Sequence, residues 1–232
     1  MTDWAVTVSE LATGVGTLVL AVATFAAVRS ANRSTRLAEE AMRAGMRPVL
    51  MHSRFNDPGQ KLSYGDGKWV SLPGGSAAVE ASDSAIYLAI SVRNAGTGMA
   101  ILHGWRACPG VRDPLNNPIP DVHPPLEEFT PQTRDLYVAP DDVGFWQGAL
   151  RDPAQERFGV VATEVKAQGQ VYIDLLYGNF EGGERVVSRF NLIYREPSQL
   201  GHAAAGPGQA PAEGRWLASV VRHWNVDRPD PR

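Results

Sequence analysis

The chain is short of most of what marks a catalytic or nucleic-acid-binding protein. Of 232 residues only one is cysteine, Cys108. That excludes an intramolecular disulfide and any C-x-x-C metal or redox site. The five histidines, His52, His103, His123, His202 and His223, show no zinc-ligand spacing to one another or to Cys108. There is no G-x-S-x-G and no P-loop, and Gly14-Val15-Gly16 lies in an apolar run. Basic surplus is lacking too: 22 Lys+Arg face 25 Asp+Glu, which argues against a chain built to hold nucleic acid. These absences set the expectations of no catalytic residue, no metal, no cofactor and no nucleic-acid partner. Cys108 precedes Pro109-Gly110 with His103 its nearest histidine, and Asp141-Asp142 reads as a turn rather than a cation site.

Leu11 to Val28, LATGVGTLVLAVATFAAV, is 18 residues without a charge. That meets the lower length for a helix crossing a bilayer. A buried core helix and a cleaved signal sequence are the alternatives. The second lacks the positive segment that should precede the run. Arg29, Arg33, Arg36, Arg43 and Arg47 follow the run and no basic residue precedes it. This positive-inside asymmetry predicts the N-terminus outside and the remainder in the cytoplasm, at the inner (plasma) membrane. Ala12 and Gly16, Ala23 and Ala27, and Ala27 and Ala31 are each four apart. They are candidates for close helix–helix packing with a copy or a partner, or simply the small residues common in spans. No proline interrupts the chain before Pro48, so a helix is expected to run on through 29–46. There its arginines meet anionic headgroups or form a short oligomerisation stalk.

After Pro48 the hydrophobic period shifts to two. Runs at 48–55, 86–92, 99–107, 135–139, 145–150, 158–165, 171–177 and 185–194 read as strands, with a hairpin turn at 179–183. Gly and Pro, 23 and 17 residues, supply the turns such a fold needs. No βαβ alternation occurs, so the expected fold is mainly β: an antiparallel sandwich over 48–196 behind the N-terminal helix of 1–47. Residues 56–84 form a Gly-rich, poorly periodic region in which Tyr64 and Trp69 cover the sandwich edge. The stretch 108–134 carries seven prolines. It is a pinned crossover or a partner-binding loop with Leu115, Ile119, Leu126 and Phe129 as anchors. A Pro/Ala/Gly linker is expected over 197–214. In 215–226, Trp216, Leu217, Val220, Val221 and Trp224 make one stripe of a short amphipathic helix. Its surface is the inner leaflet, a partner's groove or the chain's own sandwich.

The stretch Leu88-Ala89-Ile90-Ser91-Val92-Arg93-Asn94-Ala95-Gly96-Thr97-Gly98-Met99-Ala100 resembles the strand–turn–strand of bacterial immunoglobulin-like modules. With Arg47-Pro48-Val49-Leu50 at the start of the β region, the layout resembles a group of bacterial, often actinobacterial, single-pass membrane proteins. Those have an N-terminal span, an Arg/Ala/Glu-rich helix and a sandwich. The resemblance covers roughly residues 5 to 195. It implies an immunoglobulin-like fold and a membrane anchor, and it carries over no activity. The functional expectation is a membrane-anchored, non-catalytic interaction module, an accessory or scaffolding subunit of a membrane complex. The alternatives are a homo-oligomeric membrane assembly, and a ligand-sensing or enzymatic sandwich.

Overall fold

A computed structural model describes residues 3–110, 123–180, 182, 184–200 and 214–230. By its internal contacts the chain divides after Gly45 into a helical unit and a β unit.

The helical unit is α1, Asp3–Gly45, one unbroken α-helix of 43 residues. At about 1.5 Å rise per residue it is roughly 65 Å long, about twice a hydrocarbon core of some 30 Å. Its apolar side chains are bare: Leu11, Val15, Leu18, Val19, Leu20, Val22, Phe25 and Val28 are 53–71% exposed. It is the one helix among the described residues long and apolar enough to cross a membrane. The hydroxyls of Thr17 and Thr24 donate to the carbonyls of Thr13 and Leu20, each at 2.8 Å. The helix therefore answers these polar groups internally, as a lipid environment requires.

The β unit is built from β1 (Leu50–His52), β2 (Gln60–Ser63), β3 (Trp69–Leu72), β4 (Ser76–Ala81), β5 (Ile86–Asn94), β6 (Ala100–Pro109), β7 (Thr130–Pro131), β8 (Tyr137–Val138), β9 (Val143–Leu150), β10 (Gln170–Gly178), β11 (Val186–Arg195) and β12 (Arg215–Asn225), with one helix, α2 (Glu156–Lys166). All pairings are antiparallel. Ten strands form one sheet in the order β1-β5-β4-β12-β11-β10-β6-β7, with β8 on β6 and β9 on β5. Only Trp216↔Ala77 and Leu217↔Ser76 join β12 to β4. The sheet folds over at that corner and its halves face each other, as in a sandwich. Between them Ile86, Leu88, Ile90 and Val92 of β5 meet Val171, Ile173, Leu175 and Tyr177 of β10 and Phe190 and Leu192 of β11 in one core. The rings of Trp105 and Trp146 pack at 5.3 Å within it. The mainly β, antiparallel expectation holds. Ten of the strands make one continuous sheet, and β2 and β3 pair with each other in a separate two-stranded one.

The two motifs behind the resemblance turn out to be halves of one joint. The turn after β5 packs backbone against backbone on Met46–Val49. Ala95 N–H donates to Val49 O (2.8 Å) and Thr97 N–H to Arg47 O (3.2 Å). The carboxamide of buried Asn94 is fully used. Its Nδ2 donates to Gly98 O (2.6 Å) and Val138 O (3.0 Å), and its Oδ1 accepts from Val49 N–H (3.1 Å) and Gly96 N–H (3.0 Å). A Cβ at Gly96 or Gly98 would overlap the main chain of 46–49, so only glycine permits the approach.

Three expectations are corrected. Residues 158–165 are not a strand but the body of α2. Phe158, Val161, Ala162 and Val165 fall at i, i+3, i+4 and i+7, and that face enters the core. Residues 215–226 are not an amphipathic helix outside the β domain; they form β12, paired with β11 from Arg215↔Arg195 to Asn225↔Val186. The stripe misled because a bulge at Arg189/Phe190 lets Trp216, Ala218 and Val220 face the core while Trp224 comes out on the opposite face. A strand edge on β11 also supplies hydrogen bonds that an isolated eleven-residue helix would lack. The β unit consequently does not end at Glu196. Within the expected linker, Pro197–Gln199 is a 3₁₀ turn and Leu200 is buried; residues 201–213 lie outside the described residues.

Candidate interaction surfaces

Of the loop anchors, Leu115 and Ile119 lie outside the described residues. Leu126 and Phe129 do not stand out as free anchors. They pack on Leu176, Val187 and Trp224 over the outer face of β10–β12. Trp216 and Trp224 are buried in the fold that β12 completes. Leu217 and Val220 are half-buried, and Val221, at the bulge, stays exposed. Gly16, Ala23, Ala27 and Ala31 are exposed on α1; Ala12 is on the same helix.

The outer face of β6, β10, β11 and β12 carries a charged cluster that sequence reading passed over. Asp174 is wholly buried. Arg189 grips it with two bonds, Nε to Oδ1 (2.7 Å) and Nη2 to Oδ2 (2.9 Å), and Arg106 Nη1 reaches Oδ2 at 3.0 Å. Arg106 also meets Glu128 at 2.7 Å. The Arg189 guanidinium lies 4.9 Å from the Trp224 ring and 5.3 Å from the Tyr172 ring, and Arg222 covers Trp224 at 5.5 Å. Such cation–ring contacts are strongest away from water. The visible signal was one acid in Val171-Tyr172-Ile173-Asp174-Leu175-Leu176-Tyr177, since a charge inside an apolar strand requires a partner. Beside it the Cys108 thiol is pushed up to about 11 by burial and then by Asp174, the reverse of an activated nucleophile.

A second buried network lies in the core. Leu50 N–H donates to Tyr177 Oη (3.0 Å), Tyr177 Oη meets Ser188 Oγ (2.8 Å), and Ser188 Oγ meets His223 Nδ1 (2.6 Å). Every hydroxyl hydrogen has an acceptor only if Tyr177 donates to Ser188 and Ser188 to a neutral His223. Burial, then the Arg47 charge, lowers the His223 pKa and agrees with that polarity. Arg47 is held by Asn225 on the same strand.

Of the concave regions on the β unit, two bear on recognition. One, of about 550 Å³, is lined by Tyr64, Asp66, Gln132, Arg134, Gln147 and Arg151 among others. The other is a groove of about 750 Å³ whose walls include Phe55, Ile193, Leu217 and Ala218, with Arg54 and Arg195 among its lining residues. Its residues come from four separate segments, so no local pattern could announce it. Among the described residues no cluster of three or more His, Cys, Asp or Glu is placed to hold a metal ion.

Fold and surface together define an antiparallel β unit preceded by one helix apolar enough to serve as a membrane anchor. No family model, curated protein or solved structure matches the chain.

Proposed function

We propose that this chain is a membrane-anchored, non-catalytic interaction module, an accessory or scaffolding subunit of a membrane complex. One observation carries the reading: α1 leaves its aliphatic side chains bare and, within five residues of its end, the chain is bound into the β unit. Met46–Leu50 is gripped by the 94–98 turn, by Asn94 and by the Tyr177 hydroxyl. A domain that holds its own tether with core hydrogen bonds has the makings of a positioning device. The arginines after the span support an inner-membrane placement with the N-terminus outside and the β unit in the cytoplasm.

The test is to purify the natively expressed chain in mild detergent and determine the mass and composition of the complex. A stoichiometric foreign subunit is the expected result. An assembly of this chain alone would move the weight to self-association, with Ala12, Gly16, Ala23, Ala27 and Ala31 the first residues to enlarge. A bare monomer would overturn both.

A further inference from the structure

We infer that the groove between Phe55 and the β11–β12 surface is a docking site for a partner's peptide segment with aliphatic side chains flanked by carboxylates. The inference rests on the interaction-module reading and gives it a surface.

The groove is built before anything enters it. Gly75, at φ +66°, lies under the Phe55 ring, where a Cβ would come within 2.7 Å of Cδ1. Gly75 N–H donates to Ser53 Oγ (2.8 Å), which meets Ser91 Oγ at 2.6 Å, both serines being buried. Asp57 Oδ2 accepts from Arg54 N–H at 2.7 Å, closing the 54–57 turn. The wall bearing Phe55 is thus locked by buried bonds, and its ring is left 45% exposed. Opposite lie Ile193, Leu217 and Ala218. A preformed apolar groove spares an incoming chain the cost of ordering the receptor.

Charge selects the occupant. Arg54 and Arg195 are exposed and line the groove, and among the described residues no acidic one lines it. Neither guanidinium has an ion-pair partner among the described residues. His52, also lining it, accepts Val220 N–H at Nδ1 (3.4 Å), and burial and then the Arg93 charge lower its pKa. On a chain of net charge −3, this is a cationic rim around an apolar floor. The groove is open on one side. A peptide can bury alternate side chains there and keep its polar edge in water, whereas an acyl chain would leave one flank wet.

The test is selection of a displayed random heptapeptide library on the full chain held in phosphatidylcholine nanodiscs. Enriched peptides should carry Leu, Ile, Val or Phe flanked by Asp or Glu. Synthesised and measured by fluorescence anisotropy, they should bind the R54E/R195E variant at least tenfold more weakly. Lysine-for-acid versions should prefer that variant. Both substituted residues are on the surface, and an unchanged melting temperature verifies the variant's fold. Enrichment without acidic residues, equal binding to the variant, or no enrichment overturns the proposal. So would binders seen only after residues 201–213 are replaced by Gly-Ser, or self-association abolished by R54E/R195E, which would mean the occupant is this chain itself. A foreign subunit in the native complex alongside a failed selection would sink the groove and leave the module reading standing.

Discussion

Replacing Asp174 by alanine is expected to cost the β unit more than any single surface change. The carboxylate is wholly buried and takes three bonds from Arg189 and Arg106. Arg106 retains Glu128 when the carboxylate is gone. Arg189, 8% exposed, loses both bonds to that carboxylate and stays desolvated against the faces of Tyr172 and Trp224. Removing one partner of a buried ion pair costs about 3–5 kcal/mol, because a desolvated charge is left behind. In a unit spanning Met46–Arg232, 1 kcal/mol moves the melting temperature by about 2–4 °C. The expected drop is therefore about 6–20 °C, read by tryptophan fluorescence of the nanodisc-held chain. The decisive comparison is Arg106→Met, Asp174→Leu and Arg189→Met together. If the loss comes from the orphaned charge and not from missing attraction, the triple variant should recover most of it. A drop under about 2 °C for Asp174→Ala, on the same conversion, or a triple variant no better than the single, would refute the account.

Other outcomes follow from named contacts. Gly98→Ala should abolish folded protein in expression and fluorescence assays, since its Cβ would fall on the Met46 carbonyl. Gly159→Ala, with open space around it in α2, should stabilise by about 0.5–1 kcal/mol, measured as a higher denaturation midpoint. Burial lowers the pKa of His52, His103 and His223 in the folded state. Their neutral forms thus contribute stability that is whole above the unfolded value near 6.5 and is lost as pH falls below it; a melting temperature that rises between pH 7.5 and 5.5 would contradict this. Cys108, its thiol pushed up to about 11, should react with a thiol reagent at pH 7.5 only after denaturation.

What could be read from the sequence was what is periodic and local. The 18-residue uncharged run of residues 11–28 was legible as one long apolar helix, and α1 leaves it bare. Strands β5, β6, β10 and β11 alternate over seven or more residues, so they were legible. Strands β2, β3 and β4 are short, lie between glycine-rich turns and carry too few apolar residues to show a period. Yet their hairpin covers the outer face of β5, with buried Tyr64 donating to Leu88 O at 2.9 Å and Trp69 left 67% exposed. Residues 158–165 and 215–226 are rich in β-branched and aromatic side chains, and each was assigned the other's structure. Local preference is weak there, and a vacant edge on β11 and an uncovered core between the half-sheets decided the outcome. The groove and the Asp174 cluster join residues over 100 positions apart, beyond the reach of any spacing rule.

Strand β12 also sets the order in which this protein can be made. The edge of β4 is complete once Ala81 has been synthesised, but its neighbour there, Trp216-Leu217, comes 135 or more residues later. At about 5–20 residues per second that edge waits roughly 7–27 s, whereas β11, complete at Arg195, waits about 1–4 s for Arg215. During that interval the edge of β4 presents open hydrogen-bonding groups, the usual template for mispairing with other chains. A nascent chain stopped short of Arg215 should be a substrate for chaperones and proteases, not a smaller working domain.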